Sequence, residues 1–170
     1  TVAASLAARG LLSKWRDERY EIGLRDGQVA CFALERAAVR FFGFMARAVH
    51  LNGLVNGSGN TEMWVARRSA DKAIDPGMFD NLMGGGIACG LSIEQTLVKE
   101  AWEEAGIPQA LAVQSRPAGT LRVCREVPDG LHAEIIHVYD LTLPQAFTPV
   151  NQDGEVADFR QLSLAEVAKE

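Results

Sequence analysis

Cysteine is scarce in this chain, and the three present, Cys31, Cys89 and Cys124, are too widely spaced for a CxxC pair. That excludes a cysteine-ligated zinc site and a disulfide framework, and the thiols read as buried or incidental groups of a reducing compartment, by default the cytoplasm. Basic runs are missing as well. Lys and Arg number 17 against 22 Asp and Glu, a formal net charge of -5, so there is no footprint for a nucleic acid polymer. No apolar run approaches the ~20 residues that a bilayer span requires. Repeats and low-complexity tracts are absent, and neither an initiating Met nor a secretion signal opens the chain, so the sequence is expected to be a piece of a longer product. What remains is 170 residues, 48% of them hydrophobic: enough for one cored domain with a short extension.

Apolar positions at helical spacing over residues 3–18 predict a helix. Two short strands follow at 20–24 and 28–34, then a second helical stretch at 35–42. Residues 1–40 therefore form an N-terminal helical and hairpin appendage, an accessory region too small to hold a core alone. Residues 41–170 form the main domain. It opens with an alternating run at 43–55 that places Phe44, Ala46, Ala48 and His50 on one face and Met45, Arg47, Val49 and Leu51 on the other. Asn56-Gly57-Ser58-Gly59-Asn60 turns it into a second strand at 61–68. Further strands are expected at 120–127 and 132–143, split by Pro128-Asp129-Gly130, and at 156–162, ahead of a capping box at Ser163 and Glu166.

One segment stands apart. A glycine loop, Gly84-Gly85-Gly86 with Gly90, precedes Ser92 and Gln95, the two ends of a capping box, and Gly106 followed by Pro108 closes the helix between them. On that helix Glu100, Glu103 and Glu104 lie on one arc, their Cβ atoms roughly 5–6 Å apart. Leu97, Ala101 and Ala105 flank the arc, so an acidic edge borders a buried face. Hard oxygen ligands grouped beside a glycine loop suit Mg²⁺ or Mn²⁺, which keep several waters and share a phosphate oxygen with substrate. An isosteric Glu104→Gln change on such an edge is expected to touch no core.

The segment from Gly85 to Glu100-Ala101-Trp102-Glu103-Glu104-Ala105-Gly106-Ile107 resembles the signature of the Nudix hydrolases, with the spacing kept. Leu91 stands where that family has its first Glu, and Lys99 where it has Arg. Lys99 can still pair with Glu103, but as a point charge without the guanidinium fork. Flanking motifs, among them Trp15-Arg16-Asp17-Glu18, Trp64-Val65-Ala66-Arg67-Arg68-Ser69 and Asp153-Gly154-Glu155-Val156, look like the branch that fungi carry fused to thiamin pyrophosphokinase, with standalone bacterial and plant members.

The resemblance implies an α/β/α sandwich with a mixed central sheet, and a Mg²⁺- or Mn²⁺-dependent pyrophosphohydrolase acting on acid anhydrides of phosphorus. The substrate would be a small organic or nucleoside diphosphate, in this branch a thiamin-diphosphate-like one. It makes Glu100 and Glu104 metal ligands, with a loop carbonyl near Gly84. Glu103 becomes a further ligand or base, and Glu155 a ligand or base from a later loop. Gly85, Lys99 and Gly106 support the site, and Arg67, Lys72 and Phe79 are substrate-binding candidates. Arg67 and Arg68 alternate faces, so one of them reaches the phosphate and the other is solvated. His50, His132 and His137 have no partners at metal-ligand spacing and read as core or surface histidines. A homodimer through the N-terminal helix accords with the resemblance. The competing reading, prompted by Leu91 and Lys99, is a Nudix-fold domain that binds a ligand without hydrolysing it.

Overall fold

The computed structural model describes residues 1–12, 15–23, 29–57, 59–72 and 74–169. In chain order the elements begin with α1 (Val2–Ala8), β1 (Arg19–Ile22), β2 (Phe32–Glu35), α2 (Arg36–Phe42), β3 (Met45–Asn56), β4 (Thr61–Arg68), β5 (Phe79–Asp80) and β6 (Met83–Gly86). They continue with α3 (Ile93–Ala105), α4 (Gln109–Ala112), β7 (Arg116–Val127), β8 (Gly130–Thr142), β9 (Val156–Ser163) and α5 (Leu164–Val167). Ser13, Lys14, Leu24, Gln28 and Ser58, parts of the expected first helix, first hairpin and the Asn56–Asn60 turn, lie outside the described residues.

The main sheet has seven strands in the order β5-β4-β3-β8-β7, with β6 also paired to β3 and β9 to β4. β3 and β8 run parallel at its centre, and the other pairings are antiparallel. A strand's side chains alternate between faces, so each central strand feeds two layers. Val49, Leu51 and Val55 pack with Leu97, Ala101 and Ala105 of α3, and Leu82, Met83, Ile107, Leu141 and Leu143 fill the same core. From the opposite face Ala46 joins Tyr20, Ile22 and Val39 of the N-terminal segment in a second cluster. Helices therefore cover both faces of a mixed sheet, the α/β/α sandwich expected.

Residues 1–40 complete that sandwich. Their core takes a residue from β3, and β1 extends along the chain after β6, where the Cys89 N–H donates to the Arg19 carbonyl at 2.7 Å. The first helix is shorter than its apolar spacing suggests: Gly10, at φ +72, carries the turn after α1, in a left-handed conformation that is cheap for glycine. Before β1 the chain bends at Asp17, at φ +56.

The glycine run is also different from the expected loop. Gly84, Gly85 and Gly86 are strand, antiparallel to β3 in the register Gly84 to His50 and Gly86 to Ala48. Glycine weakens a strand, and here the reason is close approach from both faces. A Cβ at Gly84 would lie 2.8 Å from His50 Nε2, one at Gly85 would strike the Glu100 side chain, and one at Gly86 would strike the Tyr20 hydroxyl. The cysteines differ too: Cys31, Cys89 and Cys124 are free and exposed, not buried.

Candidate active site

α3 is built as its sequence reads. Ser92 accepts from the Gln95 N–H, the Gln95 side chain accepts from the Ser92 N–H, and Gly106 closes the helix at φ +65. A Cβ at Gly106 would also sit 2.9 Å from the Val150 carbonyl, so this glycine serves packing as well as the turn. With the helix thus fixed in phase, Leu97, Ala101 and Ala105 face the sheet, and Glu104 is drawn in beside them at 4% exposure.

Burial of a carboxylate demands partners. Glu104 has two: the Gly84 N–H donates to Oε2 at 2.9 Å, and Lys72 Nζ donates to Oε1 at 2.9 Å. Loss of hydration still outweighs them and raises the Glu104 pKa above its ordinary value. Lys72 responds differently to the same contact. Its burial disfavours the charge, but it sits between two carboxylates, Glu104 and Glu155, and their attraction holds its pKa above the usual range. Glu155, partly buried, is shifted downward: burial opposes this, and Lys72 prevails. The Glu155 loop turns at Gly154, at φ +82, whose N–H donates to Asn151 Oδ1.

Glu100 lies over Gly85 and accepts from Lys99 at 3.0 Å, while burial raises its pKa. Lys99 also donates to Glu103 at 2.6 Å, the i, i+4 pair expected from the sequence. That contact turns Glu103 outward. It borders a depression with Trp102 and Pro108, and like Glu100, Glu104 and Glu155 it lies behind the walls of the main cavity, not among its lining residues. Of the three helical acids, then, two converge on the glycine strand and one does not.

The donor set fits a divalent cation. Glu100, Glu104 and Glu155 gather at the glycine strand and the Lys72 ammonium, and Lys99 is shared by Glu100 with the outward-turned Glu103. All the donors are hard oxygens, as Mg²⁺ and Mn²⁺ prefer. Among the described residues no group of three or more His, Cys, Asp or Glu side chains is placed to hold a metal ion; the acids are paired with Lys72 and Lys99.

Beside this cluster opens a cavity of about 390 Å³. Its walls include Gly84, Gly85, Lys72 and Phe79 from the expected set, together with Gly86. Arg67 is not among them: it pairs with Asp158 at 3.1 Å and lies 5.1 Å from the Phe79 ring centroid. Its neighbour Arg68 faces the cavity instead, held by Asp80 at 2.6 Å. Phe79 also has Arg160 at 5.1 Å, so its π-density is already engaged by two guanidinium groups.

Several lining residues were missed by sequence reasoning. His50 is one: its Nδ1 lies 2.7 Å from Asn81 Oδ1 and 3.4 Å from Asp80. The signal was present in the alternation, since Ala46 and Ala48 share the face of His50 and two small side chains leave room for a ligand. Tyr20, Arg36, His132 and Glu134 line the cavity too, and nothing local in the sequence brings them together.

With this geometry in view, the family model described as the NUDIX domain matches residues 45–170. The chain belongs to the Nudix family. Residues 1–46 match a second model, a domain of unknown function (DUF4743). Nudix hydrolase 24, chloroplastic, from Arabidopsis thaliana is 38% identical over 163 residues, which cover 96% of this chain and 45% of that protein. The chain spans about half the length of the curated relatives it matches. Among solved structures, DR0079 from Deinococcus radiodurans superposes with a TM-score of 0.68 at 23% identity, over 89% of this chain and 90% of that one. The NUDIX domain of Shewanella oneidensis NrtR, solved with ADP ribose, has a TM-score of 0.58 at 17% identity, over 74% and 77%. These likenesses show the Nudix fold, and members of this family generally use divalent metals. Among the described residues no helix is long and apolar enough to cross a membrane.

Proposed function

We propose that this Nudix chain is a metal-dependent hydrolase of a diphosphate linkage in a small organic or nucleoside diphosphate. The observation that carries the reading is the convergence of Glu100 and Glu104 on the glycine strand, next to Glu155 and beside a cavity lined by Lys72 and Arg68. Glu100, Glu104 and the Gly84 carbonyl would hold Mg²⁺ or Mn²⁺, with Glu155 as a further donor or as the base. When bound, the cation supplies charge neutralisation at the phosphoryl oxygens.

The chain's own groups do the rest. Lys72 and Arg68 attract the diphosphate, and Glu155, kept ionised by Lys72, accepts a proton from the attacking water. Water's oxygen bonds to phosphorus, the bridging P–O bond breaks, and the leaving oxygen carries off its electron pair. Glu155 suits this role better than Glu103 because it pairs with Lys72, which lines the cavity, whereas Glu103 pairs with Lys99, which does not. Resemblance to the thiamin-pyrophosphokinase-associated branch supports a thiamin-diphosphate-like substrate. The complex of the Shewanella domain with ADP ribose supports the wider class of organic diphosphates. Exposed rings of Phe32, Phe41 and Phe42 support a homodimer through the N-terminal segment, and the free thiols support a reducing compartment such as the cytoplasm.

The test is release of phosphate-ended products from thiamin diphosphates, nucleotide sugars and dinucleoside polyphosphates, with Mg²⁺, with Mn²⁺ and with chelator. Metal-dependent release that Glu104→Gln abolishes sustains the proposal; binding without turnover replaces it with the second reading, a ligand-binding domain. That reading is favoured by Leu91 at the signature's first Glu position and by the Lys72 ammonium standing between Glu104 and Glu155.

A further inference from the structure

Four carboxylates line the main cavity, and three are spoken for. Asp75 is bound by Arg125 at 2.5 Å, Asp80 by Arg68 at 2.6 Å, and Asp129 by Arg40. Glu134 is different. It stands on β8 beside Ala46 in the parallel register, and among the described residues the charged partner it meets is His132, whose Nε2 lies at 3.7 Å, beyond hydrogen-bond reach. Its side chain is only 17% exposed. A largely buried carboxylate that faces a cavity without a protein donor is open to donors on whatever enters the cavity. Tyr20 and Arg36, from the N-terminal segment, border the same cavity.

We infer that Glu134 is a specificity-determining residue: it accepts hydrogen bonds from N–H donors on the organic part of the substrate, within a subsite that the N-terminal segment helps to enclose. The inference rests on the cavity being the substrate site. The chemistry is selective because the carboxylate only accepts. A ring with an exocyclic amine satisfies Glu134, while the same ring lacking that amine leaves it without the donor. Burial also pushes its pKa upward, only partly offset by His132, His50 and Arg36, as expected of a carboxylate short of donors.

The experiment uses two pairs in which an exocyclic amine is replaced by hydrogen, with no new N–H donor created: ADP with purine riboside diphosphate, and CDP with pyrimidin-2-one riboside diphosphate. Binding of their uncleavable methylene-bridged forms to the whole chain, in Mg²⁺, is measured by calorimetry. The wild type should bind the amine member of at least one pair about tenfold more tightly, the effect of one or more charged hydrogen bonds. Glu134→Gln should erase that preference and should leave the melting temperature of the ligand-free protein equal or higher, because a donor-starved charge is gone. Equal affinities within both pairs, a preference that survives Glu134→Gln, or no binding of any of the four overturns the inference. So does a lower melting temperature in the variant, which assigns Glu134 to the fold. Cleavage of the natural diphosphates is followed in parallel. A preference without cleavage removes the hydrolase reading and keeps Glu134 as the selector; cleavage without a preference does the reverse.

Discussion

The Tyr20 hydroxyl, from β1, occupies the space that a Cβ on Gly86 would fill. One residue comes from the segment that matches a domain of unknown function and the other from the Nudix domain, so the two matched segments pack as one body at the edge of the cavity. Gly86→Ala should therefore destabilise the protein by about 1–3 kcal/mol, the usual effect of overpacking. Tyr20→Phe, combined with it, should return part of that loss by removing the clashing oxygen. A double-mutant cycle in urea checks this, and strict additivity would refute it.

Glu104→Gln is no longer a surface change. Glu104 accepts from Lys72 and from the Gly84 N–H, and a glutamine keeps only one acceptor oxygen for two donors. A stability loss of about 1–3 kcal/mol is expected, together with a fall in turnover of at least about 100-fold. Denaturant titration beside an activity assay separates the two effects. The expectation that this substitution touches no core is thus corrected by the helix's depth.

Phase and position of α3 depend on its start. Removing the Ser92 hydroxyl by Ser92→Ala takes away the acceptor for the Gln95 N–H and should destabilise the chain by roughly 1 kcal/mol. The melting temperature reports it. Ser92→Asp, which retains an acceptor next to the helix's positive end, should stay near the wild type.

Glu134 also predicts a pH dependence. Burial raises its folded-state pKa above the ordinary 4.5, against the smaller opposing pull of His132, His50 and Arg36 and with Asp80 adding to the rise. Below the ordinary value the group is protonated in both folded and unfolded chains and contributes nothing. As pH rises through the folded-state pKa, the folded protein must bear a charge it solvates poorly, so stability falls. The melting temperature of Glu134→Gln minus that of wild type should therefore be near zero in mild acid and grow toward neutral pH. A difference that shrinks with rising pH would contradict the sign.

Much of this protein is legible along the chain because the determinants are local. Thr61–Arg68 is a strand as its alternation says, Ser92 with Gln95 and Gly106 bracket α3, and Ser163 with Glu166 caps α5. Lys99 with Glu103 follows from helical spacing alone. Capping and periodicity act over three or four residues, and the spacing of Gly85 to Glu100 through Glu104 sufficed for the resemblance to the Nudix family. Contacts across the fold were decided elsewhere. Parallel pairing of β3 with β8 brings Ala46 beside Glu134, and the register of β6 puts Gly84 against His50. Packing of residues 1–40 onto the second face sets Tyr20 over Gly86. Lys72 and Arg68, not Arg67, came to face the cavity for the same reason: a side chain's neighbours across a sheet are set by register and burial, which residues tens of positions apart determine jointly.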